Sequence, residues 1–277
     1  MKNKKIVVDA SNLLYRLNVD GELIPMLYQT IITFKYYNII PLFVFDGTPP
    51  DDKKEKLNER RKMRAEAAEQ YATLMEDIET KNIVLNDTLR GVIDRLERTK
   101  TRLSIQLIYE AKYLLKSCGI PYIDAVNEAD ELCAFLVNSG VAWAVISEDM
   151  DLFAHGCLRI IRYFSVFKQN CVVYELSGIL SKLKMNIDDF RAMCVVCSND
   201  YEKEGTLTVY DVWREGLVKN DLVINNVELF EKIMNMFEMV NIGEKSELDC
   251  ASFVIEYKEC NEELCRFVLE KNGFVFA

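Results

Sequence analysis

The stretch AVISEDMDLFAHG, Ala144 to Gly156, decides how this chain is read. Ala144-Val145-Ile146, following Trp143, run straight into Ser147-Glu148-Asp149-Met150-Asp151. An apolar run of that kind predicts a buried strand, with Ser147 capping the turn that follows it. Asp149 and Asp151 would then stand at the carboxyl end of a central strand, where open α/β sheets place their ligands. The alternative is a capped helix start with favourable acids in its first turn. The segment alone leaves both open.

Working outward, 277 residues can bury a sizeable core, as one large domain or as a domain with an appendage. Half the residues are hydrophobic and 28% are charged, an ordinary globular balance. No apolar run approaches a membrane span, and the amino-terminal MKNKKIVVDA turns polar too soon for a signal peptide. Nine scattered cysteines fit reduced thiols in an intracellular compartment, nuclear or cytoplasmic, rather than a disulfide framework. Cys194 and Cys197 have the spacing of half a zinc site, but without a second close pair they read as core cysteines on a helix. His155 is the single histidine, which excludes most histidine-based catalysis and turns attention to carboxylates and a metal. A net charge of −10 argues against a general nucleic-acid coat. It leaves room for a nuclease, because acids gathered around divalent ions inflate the negative total.

In chain order, Lys5–Asp9 is a β-branched run ending in an acid, followed by Ala10-Ser11-Asn12 and an apolar-periodic stretch to Leu17. A helix is expected over 22–38, with Ile24, Leu27, Ile31 and Phe34 on one face. Pro41 to Asp46 is a second buried strand ending in an acid, stopped by Gly47 and two prolines. Together these make a βαβ unit with both acids at one edge. From 51 to about 105 the chain is helical in propensity and basic: Lys53, Lys54, Lys56, Arg60, Arg61, Lys62 and Arg64, with only Glu55 and Glu59 among them. Arg95, Arg98, Lys100 and Arg102 form a second basic group. A solvated helix laced with i,i+4 charge pairs is the plain alternative, but the first run is too lopsided for that alone. It reads as a phosphate-contacting helical excursion.

A helix over 106–117 leads to a third strand in Gly119-Ile-Pro-Tyr-Ile-Asp124. Asn127 is expected to N-cap the next helix, with Glu128 and Asp130 in its first turn, an arrangement that ordinary capping also explains. After the opening strand, further strands are expected near 158–164 and 171–175 and helices near 176–184 and 187–198, the last running into Ser198-Asn199-Asp200-Tyr201. The tail contains helices at Val227–Met239 and Glu262–Lys271. The predicted fold class is α/β, with a core over 1–200, a helical excursion at about 51–105 and a mainly helical region over 201–277.

Acids at strand ends recur at Asp9, Asp46 and Asp149, with Glu128, Asp130, Asp151 and Asp200 as neighbours. Converging carboxylates repel and raise one another's pKa values, and divalent cations remove that cost. An oxygen-rich set suits Mg²⁺ or Mn²⁺. Two such ions about 4 Å apart can activate water and stabilise a leaving oxygen. The residues therefore point to metal-dependent phosphoryl transfer on an α/β sheet, with a basic helical segment to hold a polyanion.

The same residues carry a resemblance. Val8-Asp9-Ala10-Ser11 with Tyr15, Phe45-Asp46-Gly47-Thr48-Pro49-Pro50, Gly119-Ile120-Pro121-Tyr122, Asn127 to Asp130, Ser147 to Asp151, and Ser198 to Tyr201 occur in the order seen in the flap endonuclease family of structure-specific 5′ nucleases. The chain resembles that family's eukaryotic and viral style over roughly residues 5–201. The resemblance implies a PIN-like 5′ nuclease domain: a mostly parallel sheet, a helical gateway insertion, and an activity in DNA replication, repair or recombination. It assigns Asp9, Asp46, Glu128 and Asp130 to one Mg²⁺ and Asp149, Asp151 and Asp200 to a second, with Mn²⁺ as substitute. Lys53 and Arg60 would be the catalytic cations at the scissile phosphate and Arg64 a further phosphate contact. Tyr15 would stack on the adjacent base, with Arg98, Lys100 and Arg102 as additional nucleic-acid contacts.

The chain departs from the family at several points. Only eight residues precede Asp9, where the family has a Met-Gly segment. The connection from Tyr15 to Glu22 is short, which bears on the wedge that splits duplex and holds a 3′ flap. Glu204-Gly205-Thr206-Leu207-Thr208 replaces the family's Gly-Ile-Gly duplex grip and its K⁺ ion. Asp130 stands where the family has Glu, about one methylene shorter, so its metal contact could run through water. No sliding-clamp motif is evident. The expected partner is branched or 5′-ended DNA bound by a monomer, with no membrane. RNA cleavage is the second reading, and a nuclease-fold protein that binds without cutting is the third.

Overall fold

The computed structural model describes residues 1–18, 22–48, 54–197, 208–215, 227–237 and 255–276. The opening stretch does contain a strand. β4 (Ala144–Ile146) lies in a six-stranded sheet with β1 (Lys5–Asp9), β2 (Ile40–Phe45), β3 (Tyr122–Asp124), β5 (Arg159–Ser165) and β6 (Asn170–Glu175), in the order β3-β2-β1-β4-β5-β6. All pairings are parallel except β5 with β6, an antiparallel pair with an irregularity between Arg162 and Ser165.

Strand order explains where a site can form. The chain passes from β1 to β2 on one side, and β4 pairs with β1 on the other. Connections therefore diverge at the carboxyl end of β1 and leave a crevice there. Side-chain alternation splits the core into two layers. Ile6, Val8, Phe43, Phe45, Ala144 and Ile146 pack with α1 (Ala10–Leu17), α2 (Leu23–Tyr36) and α5 (Ile105–Ser117). Val7, Leu42, Val44 and Val145 pack on the other face with α6 (Ala129–Asn138), α7 (Asp151–Ala154), α8 (Leu176–Leu183) and α9 (Ile187–Cys197). A sheet buried on both faces needs continuous apolar strands, which is why the strands read as unbroken runs.

The basic excursion is two helices packed on each other, α3 (Lys54–Lys81) and α4 (Asp87–Lys100). Asn86 caps α4 by accepting the Leu89 N–H at 2.8 Å. At 28 residues, α3 is about 42 Å long and mostly exposed. Lys100 Nζ sits 3.0 Å from the Tyr71 ring centroid and joins the two arms. Leu103 is buried and returns the chain to the core.

The helical tail is represented by α10 (Val209–Glu215), α11 (Val227–Phe237) and α12 (Glu262–Lys271). Residues 255–274 turn back onto the nuclease core. The Lys258 N–H donates to Gly119 O and the Asn261 N–H to Ser117 O, each at 2.8 Å. Cys265, Val268 and Leu269 join the same core layer as Leu114 and Leu115. Among the described residues, no helix is long and apolar enough to cross a membrane. Cys197 is buried and Cys194 half-buried on α9, and both are free thiols, as the core reading of that pair expects.

Gly119 makes the C-terminal docking possible. Its φ is +73°, and a Cβ there would lie 2.1 Å from Lys258 O. Gly119→Ala should therefore cost about 2 kcal/mol or more of unfolding free energy. Gly91→Ala, in α4 with open space around it, should instead gain about 0.5 kcal/mol. Urea melts of the two variants check the contrast.

Candidate active site

The site is built at the end of β1. Asp9 is the N-cap of α1 and is 5% exposed. Its Oδ1 accepts the Asn12 N–H at 3.1 Å, the ordinary capping bond. The β1–β4 register pairs Val8 with Ile146 and so sets Asp9 beside Ser147. The Ser147 hydroxyl donates to Asp9 Oδ2 at 2.7 Å.

Ser147 does cap the following turn, since its Oγ accepts the Asp149 N–H at 3.0 Å. Asp149 Oδ1 in turn accepts the Asp151 N–H at 2.9 Å and starts the one-turn helix α7. Both readings of the opening stretch were therefore partly right: a strand, then a turn capped by its own acids.

Asp46 follows β2 and is exposed. Its Oδ1 accepts the Ala129 N–H at 2.9 Å. Asn127 does not cap α6. The capping position is Glu128, whose side chain makes no capping bond, so a carboxylate from another strand serves the helix instead. This contact fixes the first turn of α6, and Asp130 with it, against the end of β2. Gly47 lets the two loops approach: a Cβ there would meet Ala125 O at 2.1 Å.

These elements surround a cavity of about 680 Å³. Asp9, Asp46, Glu128, Asp130 and Asp149 line one part of it. Tyr15, Arg60, Met63 and Arg64 line another, joined by Thr99 and Thr101 at the end of α4 and by Ile108 and Lys112 of α5. Arg64 Nη1 donates to Tyr15 Oη at 3.4 Å, tying α3 to α1 across the opening.

Asp151 is not among the lining residues, but its charge acts on Asp130. Lys53 and Asp200 lie outside the described residues, as does the Glu204–Leu207 replacement. Arg98 belongs to α4, with its side chain outside the description. Lys100 is held by Tyr71 and by Glu97 at 3.6 Å, and Arg102 is exposed; neither lines the cavity.

Two contributors had no local signal in the sequence. Lys112 pairs with Asp124 and lies 4.6 Å from the Phe45 ring centroid at the cavity wall. Glu148 is the other. It pairs with Arg16 at 2.7 Å and Arg162 at 3.3 Å, and accepts the Tyr163 N–H at 2.7 Å. Its own N–H donates to Asn12 Oδ1 at 3.0 Å. Glu148 thus faces away from the cavity and locks the acidic turn to α1 and β5. Tyr163, at φ +54°, holds an unusual conformation at the strand irregularity that this bond supports.

The acids are under electrostatic load. Burial pushes the Asp9 pKa up to about 7, opposed by its bonds from Asn12 and Ser147 and reinforced by the charges of Asp46 and Asp149. Burial likewise lifts Asp130 well above the carboxylate range, with Asp9, Asp149, Asp46 and Asp151 adding to the effect. Among the described residues no three potential ligands form a closed cluster. The donors at the cavity floor are all oxygens, which fits hard divalent cations and not zinc.

An α/β sheet with an acid floor at its switch point and a basic helical arch above defines a metal-dependent phosphodiesterase. The comparisons agree. The XPG N-terminal domain family matches residues 1–67, running into the first half of α3, and the XPG I-region matches residues 119–200. Flap endonuclease 1 of Glycine max is 30% identical over 305 residues, covering 98% of this chain and 76% of that protein. Flap endonuclease 1 of Methanococcus aeolicus is 28% identical, covering 99% and 86%. The flap endonuclease-1 structure from Methanococcus jannaschii superposes with a TM-score of 0.68 at 23% identity, over 99% of this chain and 88% of that one. The catalytic core of Rad2 in complex with DNA substrate gives 0.68 at 19%, over 98% and 88%, a likeness of fold. The chain belongs to the flap endonuclease (XPG-type) family of nucleases. Enzymes of this family depend on divalent metal.

The loaded acids yield a pH prediction. The folded pKa of Asp9, about 7, lies above the unfolded value of ~4. The folded state therefore binds this proton more tightly, and stability from this group falls as pH rises from about 4 through 7. With divalent ions chelated, the protein should melt at a lower temperature at pH 8 than at pH 5.5, and Asp9→Asn should shrink the difference. Millimolar Mg²⁺ should raise Tm more at pH 8 than at pH 5.5. Calorimetric melts measure both.

Proposed function

We propose that this protein is a structure-specific 5′ nuclease that hydrolyses phosphodiester bonds in DNA bearing 5′ flaps or 5′ ends, using two Mg²⁺ ions for which Mn²⁺ substitutes. Its place would be in replication, repair or recombination, in a reducing intracellular compartment that suits its free thiols. The observation that carries this reading is one cavity lined by Asp9, Asp46, Glu128, Asp130 and Asp149, and also by Tyr15, Arg60 and Arg64.

Asp9, Asp46, Glu128 and Asp130 would hold one cation, and Asp149, with Asp151 and Asp200, the other. Bound there, such ions make water a nucleophile at neutral pH and stabilise the leaving oxygen. The chain's own groups do the rest. Arg60, with Lys53 from the same arch, neutralises charge that develops on the phosphoryl oxygens in the transition state. Tyr15 is 42% exposed and offers its ring to the base beside the scissile phosphate, while its hydroxyl keeps Arg64 at the opening. Ser147 and Asn12 hold the Asp9 carboxylate in one orientation, so little reorganisation accompanies reaction.

The test uses labelled 5′-flap, nicked and single-stranded DNA in Mg²⁺, with matched RNA alongside. Cleavage of the flap near its junction is expected. Asp149→Ala should abolish it, and Arg60→Ala should lower kcat by about 10²–10³. Cleavage that survives Asp149→Ala, or that prefers RNA throughout, would overturn the reading.

A further inference from the structure

One face of α5 is left over once the core and the cavity are accounted for. Successive residues on a helix are about 100° apart, so the faces of Ile105–Ser117 can be followed in order. Ala111, Leu114 and Leu115 face the core and are fully buried. Next around the helix come Ile108 and Lys112, which line the cavity. Immediately beyond them stand Ile105, 69% exposed, Tyr109, 64%, and Tyr113, 44%. Exposed Lys116 lies between Ile105 and Tyr109 in angular position. On the far side Glu110 pairs with Lys271 of α12 and closes off that face.

Three large side chains at i, i+4 and i+8 gain nothing in water, and a stripe of this kind ordinarily packs against something. Its neighbours identify the occupant. The stripe is continuous with the cavity wall through Lys112, and it begins where the arch re-enters the core at Leu103. Lys116 ends the stripe beside Gly119, whose carbonyl is bonded to the backbone of Lys258, another exposed base. In a chain of net charge −10, aromatic rings alternating with lysines along a route out of a phosphate-binding cavity have the composition of a single-strand stacking platform. Tyr109 and Tyr113 are about 6 Å apart along the helix axis, so each ring can take a separate base.

We infer that the α5 face formed by Ile105, Tyr109, Tyr113 and Lys116 binds the single-stranded 5′ arm of the substrate beyond the cavity, stacking its bases on the two tyrosines without reading their sequence. The inference rests on the proposed nuclease function and adds a second contact region to it. Substrates with short single-stranded arms do not reach this face, and long arms do.

The experiment compares DNA flaps with 5′ arms of one and about twelve nucleotides, measuring KM and kcat for the unaltered protein, Tyr109→Ala/Tyr113→Ala and Tyr109→Phe/Tyr113→Phe. For the alanine pair, KM for the long arm should rise at least fivefold, with kcat and the short-arm constants within twofold of the unaltered protein. The phenylalanine pair keeps both rings and should match the unaltered protein on both arms. An unchanged long-arm KM in the alanine pair overturns the inference, and so does an equal loss on both arms, which would mean the rings only support the fold. If the unaltered protein cleaves neither flap, the nuclease reading itself fails, an outcome distinct from either of these.

Discussion

A carboxylate 5% exposed at the carboxyl end of a central strand is the constraint on which the rest of this structure depends. Asp9 can be charged there only if something else compensates, because burial of an isolated anion costs far more than one neutral hydrogen bond returns. The chain supplies the Asn12 N–H and the Ser147 hydroxyl, then places Asp46 and Asp149 close enough to oppose the charge again. Asp130 is likewise raised by burial and by the charges of Asp9, Asp149, Asp46 and Asp151. Basic side chains line the cavity from the arch, at Arg60 and Arg64, and from α5, at Lys112.

The other bonds around the site serve to hold this arrangement still. Asn12 spans β1 and the acidic turn, giving its N–H to Asp9 and taking the N–H of Glu148. Glu148 uses both oxygens on Arg16, Arg162 and the Tyr163 N–H, so α1, the acidic turn and β5 share one charged knot behind the cavity. Asp46 does the same on the opposite flank by bonding the first turn of α6. The site is thus positioned by strand ends and helix starts, the most rigid parts of the fold, while the arch adds the groups that meet phosphate.

How much of this was legible in the sequence depended on distance along the chain. β1, β2 and β4 were readable because each is an unbroken apolar run that stops at an acid or its turn, and parallel strands buried on two faces must look that way. The acids at their ends were readable with them. Asn127 misled because Asn followed by acids is sound local capping chemistry, whereas the real partner of Ala129 is Asp46, 83 residues away. Glu148 left no local signal for the same reason, its arginines lying 132 and 14 residues off. The basic segment was visible as charge, but charge does not say which side chain turns inward: Arg60 and Arg64 do, while Lys100 holds the two arms together over Tyr71. The return of α12 to the core left no trace beyond Gly119, whose left-handed φ and contact with Lys258 only the folded chain reveals.

The central claim is that divalent cations complete the acids of the cavity floor. Anomalous diffraction from crystals soaked in Mn²⁺ tests it directly. The account predicts anomalous density on the cavity floor, among Asp9, Asp46, Asp130 and Asp149, that disappears in Asp9→Asn/Asp149→Asn. A floor that stays empty at millimolar Mn²⁺ and pH 8, with manganese only on surface carboxylates, would contradict it.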